Sequence, residues 1–336
     1  MMRILYISDR GNGGIKSHVR CLRECLPQEV SIYQIGASGD EEFLGRNGHS
    51  VREFFQIRKV IKNFKPDIVH LHIYPFLMCL YLRLFTKIPR IVSIHTSTNK
   101  RLSLKNRLLY RLMSPCYYLP VSNTTWGSFK RLYPKANGEV FYNPIKINYV
   151  DNKEGRNKIV GMVGRSADVK DWPAFSEVAA LTRNKVAEVS FWGVGVSKEN
   201  AQNKLGDLAK NIEWKGSQSN GREWINKMDV FVLTSKREEM PTVVLEALAE
   251  RTAICGFIPV GGMSEILGFS HGPLKDVFIQ DRDPKKLSEI VVSLIRDEKK
   301  RMAVVEDGFQ IIVNYFDAKK NCNGKLMDIY RRVIQK

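Results

Sequence analysis

Residues 229–250 read DVFVLTSKREEMPTVVLEALAE, and the order of apolar, charged and helical stretches in that run decides what kind of chain this is. DVFVLTS (229–235) is short and almost continuously apolar, which is the pattern of a parallel strand buried on both faces and ending at Ser235. Lys236 to Met240 then form its exit loop. Pro241 suits the first position of a helix, where its missing N–H costs nothing, and VVLEALAE continues with helical apolar spacing. Glu238 therefore sits in the loop and Glu246 two turns into the helix. The N–H groups that open a helix lack intrahelical acceptors and carry the positive end of the macrodipole, so a phosphate fits between those carboxylates. Glu246 is positioned to accept bonds from ribose hydroxyls and Glu238 from a sugar, although two glutamates at such a turn also fit a merely solvated pair.

Working outward, the same strand-then-helix alternation fills both halves of the 336 residues, a length that suggests two domains. Expected strands in the first half are 3–8, 30–36, 67–73, 90–96, 117–122 and 139–143. In the second half they are 158–164, 188–194, 211–216, 229–235, 253–258 and 276–280. The expected fold is α/β: two Rossmann-like, doubly wound parallel-sheet domains facing across a cleft, with ligands beyond the carboxyl ends of the strands. We place the domains at 1–150 and 151–312, joined through the polar stretch 146–157, with a final helix over 313–336 returning to the first domain. Asp283 and Pro284 read as cap and first residue of a helix, which accounts for the D-x-D of Asp281 and Asp283 without a metal.

The net charge of +18 is unevenly placed: residues 1–150 hold 23 Lys+Arg against 9 Asp+Glu, a balance of +14, whereas the remainder is only +4. The first domain thus faces something anionic. Nucleic acid is not expected, because no basic motif is interleaved with aromatics. The basic stretch LSLKNRLLYRLM (102–113), flanked by Lys100 and Arg101 and following the apolar IYPFLMCLYLRLF (73–85), instead fits reversible docking on an anionic membrane; packing of its leucines on the sheet is the other reading. No apolar run reaches the roughly 18 residues of a span, and MMRILYISD lacks the apolar region of a signal peptide. A cytoplasmic protein, peripheral on the inner face of the membrane, is expected. Of six cysteines only Cys21 and Cys25 are close together, with no second pair to complete a zinc set.

Other strand ends carry chemistry. The first strand runs into DRGNGGIKSHV (9–19), whose Gly13 and Gly14 allow close backbone approach by a ligand. NAD is not expected, since the second strand, VSIYQIG, ends without the acidic residue that would bind the ribose. GMVGRSADVKDW (161–172) puts Gly164, Arg165 and Lys170 just past a strand, where two cations on one loop either neutralise a departing diphosphate without a metal or are the ordinary charges of a surface loop. His95 closes a strand of the first domain, where an imidazole bonds a sugar hydroxyl or is simply a satisfied polar group. His70 and His72 share a strand face, but with no third ligand nearby in sequence a metal is not expected.

Taken together, these motifs resemble those of the group 1 (family 4) retaining glycosyltransferases of the GT-B fold. The E-x7-E run from Glu238 to Glu246 is the most specific; Gly13-Gly14, His95, Ser122, Asn143-Pro144, Gly164-Arg165 with Lys170, Gly193, Gly195 and GGMSEIL (261–267) support it. The resemblance implies a metal-independent hexosyl- or N-acetylhexosaminyl-transferase that uses a UDP- or GDP-sugar as co-substrate and needs no cofactor. Its acceptor would be a cell-surface glycan (polysaccharide, lipopolysaccharide or glycolipid), lipid-linked. It implies Glu246 on the donor ribose, Glu238 on the transferred sugar, and Arg165 with Lys170 on the diphosphate. Backbone from Pro241 through Thr242 to Val243 completes the phosphate site, Gly164 and Gly193 lie on the donor, and His95 with Gly13 and Gly14 borders sugar and acceptor. Asp171 stands where the family commonly has Gly after the lysine, and Arg251 and Ala253 stand where it has Gly and Pro. A nucleotide-sugar-binding protein without turnover and a sugar-nucleotide epimerase on the same fold are the alternatives.

Overall fold

The computed structural model describes residues 1–8, 14–36, 39–42, 51–73, 75–97, 110, 114–147 and 158–335. They form two units: Met1–Lys146 with Ala318–Lys336, and Ile147–Asp317. The final segment, expected from residue 313, joins unit 1 from Ala318.

Unit 1 is built on β1 (Met2–Ile7), β2 (Val30–Ile35), β3 (Ile68–Leu71), β4 (Arg90–Ile94), β5 (Tyr117–Pro120) and β6 (Asn137–Gly138). They form one parallel sheet in the order β2-β1-β3-β4-β5-β6. Period-two alternation fills both faces. Leu5, Ile7, Val69, Leu71 and Val92 pack on α2 (Val51–Phe64) and α3 (Phe76–Phe85), through Ile57, Val60, Met78 and Leu82. Ile4, Tyr6, Ile68 and Ile91 face the other way, onto α1 (Gly14–Cys25) and the C-terminal segment, through Leu22, Leu326, Ile329 and Tyr330. Each fully buried Leu or Ile contributes about 1.5–3 kcal/mol, so the returning segment holds the sheet by ordinary burial. The Tyr6 and Tyr330 hydroxyls also meet at 3.0 Å.

Unit 2 repeats the plan with β7 (Ile159–Val163), β8 (Ser190–Val194), β9 (Glu213–Trp214), β10 (Val230–Leu233), β12 (Ala253–Phe257) and β14 (Phe278–Ile279), ordered β14-β12-β10-β7-β8-β9. Between them, β11 (Arg237–Glu238) pairs with β13 (Val260–Gly261) as a separate two-residue ladder. Most of the expected strands are present but shorter, and the first keeps six residues, at 2–7 instead of 3–8. The strand expected over 139–143 is a two-residue ladder at 137–138; Glu139 and Phe141 still donate to Tyr118 and Pro120 oxygens, but Pro120 has no N–H to give back. Residues 276–277 lie in a 3-10 turn ahead of β14. Most of 102–113 and the stretch 148–157 of the expected linker lie outside the described residues. Among the described residues no helix is long and apolar enough to cross a membrane.

Candidate active site

In unit 2 the strand order counts 3-2-1-4-5-6 from its own first strand, so the order reverses between β7 and β10. Side chains beyond that reversal meet in a crevice. The β7 exit loop and the 234–246 segment are joined there. The Thr234 hydroxyl lies 3.0 and 3.1 Å from the carbonyl oxygens of Lys170 and Asp171, and the Lys236 N–H donates to the Val169 oxygen at 2.7 Å. Lys170 Nζ is 2.6 Å from Glu238 Oε1, and both side chains are about six-sevenths buried, at 15% and 14% exposure. The cation expected on a diphosphate and the carboxylate expected on a sugar thus neutralise each other. Lys170 also covers Gly164, where a Cβ would sit 3.3 Å from its Cδ. Arg165 on the same loop is exposed and makes no ion pair among the described residues, while its carbonyl accepts the Trp172 indole N–H at 3.1 Å.

The helix α8 (Thr242–Ala249) starts one residue later than expected, with Pro241 as its cap. The Val244 and Leu245 N–H groups bond the Pro241 carbonyl, which leaves those of Thr242 and Val243 without an intrahelical acceptor, facing outward from the helix start. Glu238 is fixed from behind by glycines. Gly261 has φ +129° and a Cβ there would lie 1.8 Å from the Glu238 carbonyl oxygen; at Gly262 it would lie 2.2 Å from that of Glu239. Further along α8, burial raises the Glu246 carboxyl to about 7; Arg222 opposes that shift and Glu250 adds to it. Arg222 is itself paired with Glu250, so its charge is shared between the two carboxyls.

Two family models match in tandem, one described as Glycosyltransferase Family 4 over residues 12–149 and one as Glycosyl transferases group 1 over 157–297. The chain belongs to the group 1 (family 4) glycosyltransferases. Its fold is GT-B: the crystal structure of Anabaena Alr3699/HepE in complex with UDP and glucose superposes with a TM-score of 0.74 at 14% identity, over 99% of this chain and 100% of that one. In sequence it is 35% identical over 101 residues to the putative teichuronic acid biosynthesis glycosyltransferase TuaC of Bacillus subtilis, 30% of this chain and 24% of that one. It is 26% identical over 199 residues to the N,N'-diacetylbacillosaminyl-diphospho-undecaprenol alpha-1,3-N-acetylgalactosaminyltransferase of Campylobacter jejuni, 59% of this chain and 49% of that one. The match thus spans half or less of each of these relatives' lengths.

Two departures from the family pattern now have a physical reading. Asp171 and Arg251, which replace glycines, both keep the left-handed backbone, at φ 56° and 52°. Such a residue costs roughly 1–2 kcal/mol, and each is held by side-chain contacts. Asp171 pairs with Arg282 at 2.6 Å, and Arg251 lies 3.7 Å over the Phe309 ring and 3.3 Å from Glu306. Arg282 also donates to the carbonyls of Thr234 and Ser235, so it locks the loop to the strand end. Sequence reading missed Arg282, Arg222 and Thr234; the only local signal was Arg282's place between the two aspartates of D-x-D. Asp283 caps its helix by accepting from the Lys285 N–H at 2.8 Å, as expected. Gly193 lies inside β8, where a Cβ would meet the Trp214 ring at 2.5 Å, so its small size makes room for packing. Gly195, at φ +100° and 2.4 Å from the Gly164 oxygen, is the glycine that touches the loop. A cavity of 230 Å³ lined by Ser166, Trp172, Asn200 and Trp214 borders this loop away from the Lys170–Glu238 pair.

In unit 1, Gly14 opens α1 and is exposed, and Gly13 lies outside the described residues. His95 follows β4 and is half-buried, with Nε2 at 3.3 Å from His72 Nδ1. His18 of α1 completes a group that sequence reading did not assemble.

Proposed function

We propose that this chain is a retaining glycosyltransferase that moves a hexosyl or N-acetylhexosaminyl group from a UDP- or GDP-sugar to a lipid-linked cell-surface glycan, without a metal. The observation that carries this reading is the meeting of Lys170 with Glu238 at the β7/β10 reversal, beside the open N–H groups of Thr242 and Val243. On donor binding, Lys170 and Arg165 turn to the diphosphate with those N–H groups, and Glu238 is released to the sugar hydroxyls. Glu246 accepts from the ribose in its ionised form. As the glycosidic bond to phosphate breaks, negative charge grows on the leaving oxygen, where fixed cations and N–H dipoles stabilise it without reorganisation. The acceptor oxygen attacks from the same face, and the departing phosphate takes its proton. His95 and the Gly13-Gly14 loop are assigned to sugar and acceptor. The UDP in the Anabaena structure and the polyprenyl-linked acceptor in the Campylobacter name support the choice of donor and acceptor classes.

The membrane part of this reading is supported by α2 and α3. Phe54 of α2 packs edge-on against Tyr81 and Phe85 of α3, at 5.0 and 5.7 Å. Beside that contact Phe55, Leu84 and Phe85 are 57–63% exposed, with exposed Arg58, Lys59 and Arg83 as neighbours on the same helices. Apolar side chains ringed by basic ones fit an anionic bilayer surface.

A thermal-shift panel of UDP-, GDP- and ADP-sugars, with and without EDTA, tests the donor. A ligand at a hundredfold excess over its Kd adds about 2.7 kcal/mol to stability. Labelled-donor turnover with product configuration read by NMR separates transfer with retention from binding alone and from epimerisation. Binding without transfer to any polyprenyl-diphosphate glycan overturns the enzymatic reading.

A further inference from the structure

Four histidines gather at the carboxyl end of the unit 1 sheet. Tyr330 and Ser93 occupy both nitrogens of His70, at 2.8 and 2.9 Å, so that ring is a support. It stacks on His72 with ring centres 4.2 Å apart. The other three are arranged differently. One ligand atom from each of His18, His72 and His95 lies within 4.8 Å of the others. Their ring centres stand 5.1–5.5 Å apart. His18 and His72 are buried, at 3% and 2% exposure. Among the described residues neither nitrogen of His18, nor Nε2 of His72, has a hydrogen-bond partner of good geometry, although Asn143 lies beside His18.

We propose that His18, His72 and His95 form a binding site for a divalent transition ion of the zinc type. Two nitrogens bound at tetrahedral angles to one zinc stand about 3.3–3.4 Å apart. His72 Nδ1 and His95 Nε2 are already at 3.3 Å, and a ligand atom of His18 belongs to the same group, whose ligand atoms lie within 4.8 Å of one another. The set contains no carboxylate, which disfavours magnesium and calcium, whereas neutral imidazoles suit zinc, cobalt, nickel and copper. Three protein ligands leave a fourth position for water or an anion, and half-buried His95 is the outermost of the three. The ion takes no part in sugar transfer. It occupies the imidazole assigned above to the sugar, so zinc inhibits transfer; only this consequence rests on the proposed function.

The test is titration of the metal-stripped full chain with Zn2+ by calorimetry and with Co2+ by visible absorption. One ion per chain with a tetrahedral cobalt spectrum is expected. His18→Gln and His72→Gln should each weaken binding at least tenfold, and His70→Gln by less. Anomalous scattering at the zinc edge from a soaked crystal locates the ion directly, should a variant fail to fold. Absence of binding at millimolar zinc, or an ion found at Cys21 and Cys25, overturns the site. Because none of these readouts uses donor or acceptor, a failed transfer assay leaves the result standing, and a failed titration leaves the transferase reading untouched.

Discussion

The two units share a sheet plan and differ in what stands at its reversal point. In unit 1 the order turns between β1 and β3, and the residues there are uncharged imidazoles: His18 on α1, the helix that follows β1, and His70 and His72 at the end of β3. In unit 2 it turns between β7 and β10, and the residues are charged and paired, Lys170 with Glu238 and Asp171 with Arg282. Sheet topology therefore fixes where chemistry is presented, and the loop residues fix which chemistry. The comparison also relocates the charge asymmetry. The first half carries the positive excess, yet its strand ends hold neutral rings; exposed Arg58, Lys59, Lys62 and Arg83 of α2 and α3 bear part of that excess on the helices.

The contrast breaks most readily at the charged pair. Lys170→Ala and Glu238→Ala should each lower transfer by about 10²–10³, the cost of removing one preorganised electrostatic group. Circular dichroism should show an intact fold, and the double variant should lose less than the two effects combined, because the residues are in contact. Full activity in both single variants would refute the roles assigned to unit 2.

Next comes the backbone under Glu238. Gly261→Ala forces a Cβ to within 1.8 Å of a carbonyl at φ +129° and should destabilise by about 3 kcal/mol or more, measured by urea unfolding. Gly127→Ala, within the helix Asn123–Leu132 of unit 1 and with nothing within 4 Å of the new Cβ, should instead stabilise by up to about 1 kcal/mol.

Glu246 gives unit 2 a pH signature of its own. With its carboxyl at about 7, donor affinity should rise about tenfold from pH 6 to pH 8 as the ribose-accepting form is populated, and Glu246→Gln should bind weakly and flatly. The stability effect has the opposite sense. A carboxyl raised in the folded state stabilises most below its unfolded value of 4.5, and that contribution is lost as pH rises through 7. Glu246→Gln should accordingly melt higher than the parent at pH 8, with the two closer at pH 5.

The smallest expected change is at the surface. Phe55→Ser with Phe85→Ser should reduce sedimentation with vesicles rich in anionic lipid several-fold while leaving the melting temperature nearly unchanged, since both rings are more than half exposed. Unaltered partitioning would move the membrane contact elsewhere on unit 1.

Features that depend on neighbours along the chain were legible in the residues alone. The strand and the helix within 229–250 follow from apolar spacing and from Pro241, and the Asp283 cap from its own place before Pro284, because capping and periodicity act over a few residues. The same spacing also placed Glu246 in its helix, whereas Glu238, expected in a loop, lies in the two-residue β11 ladder because Gly261 of β13 pairs with it. Features that depend on distant partners emerge with the folded chain. Lys170 meets Glu238 across 68 positions, and Asp171 meets Arg282 across 111. His18, His72 and His95 come together from a helix and two strand ends, although the sequence argument had set a metal aside for want of a third ligand. Gly193 faces a tryptophan that no local rule connects to it, and strand lengths shrink where a proline in the neighbouring strand withholds its N–H. Local propensity specifies the elements, whereas ion pairs, ligand sets and close packing are set by the path of the whole chain through the sheets.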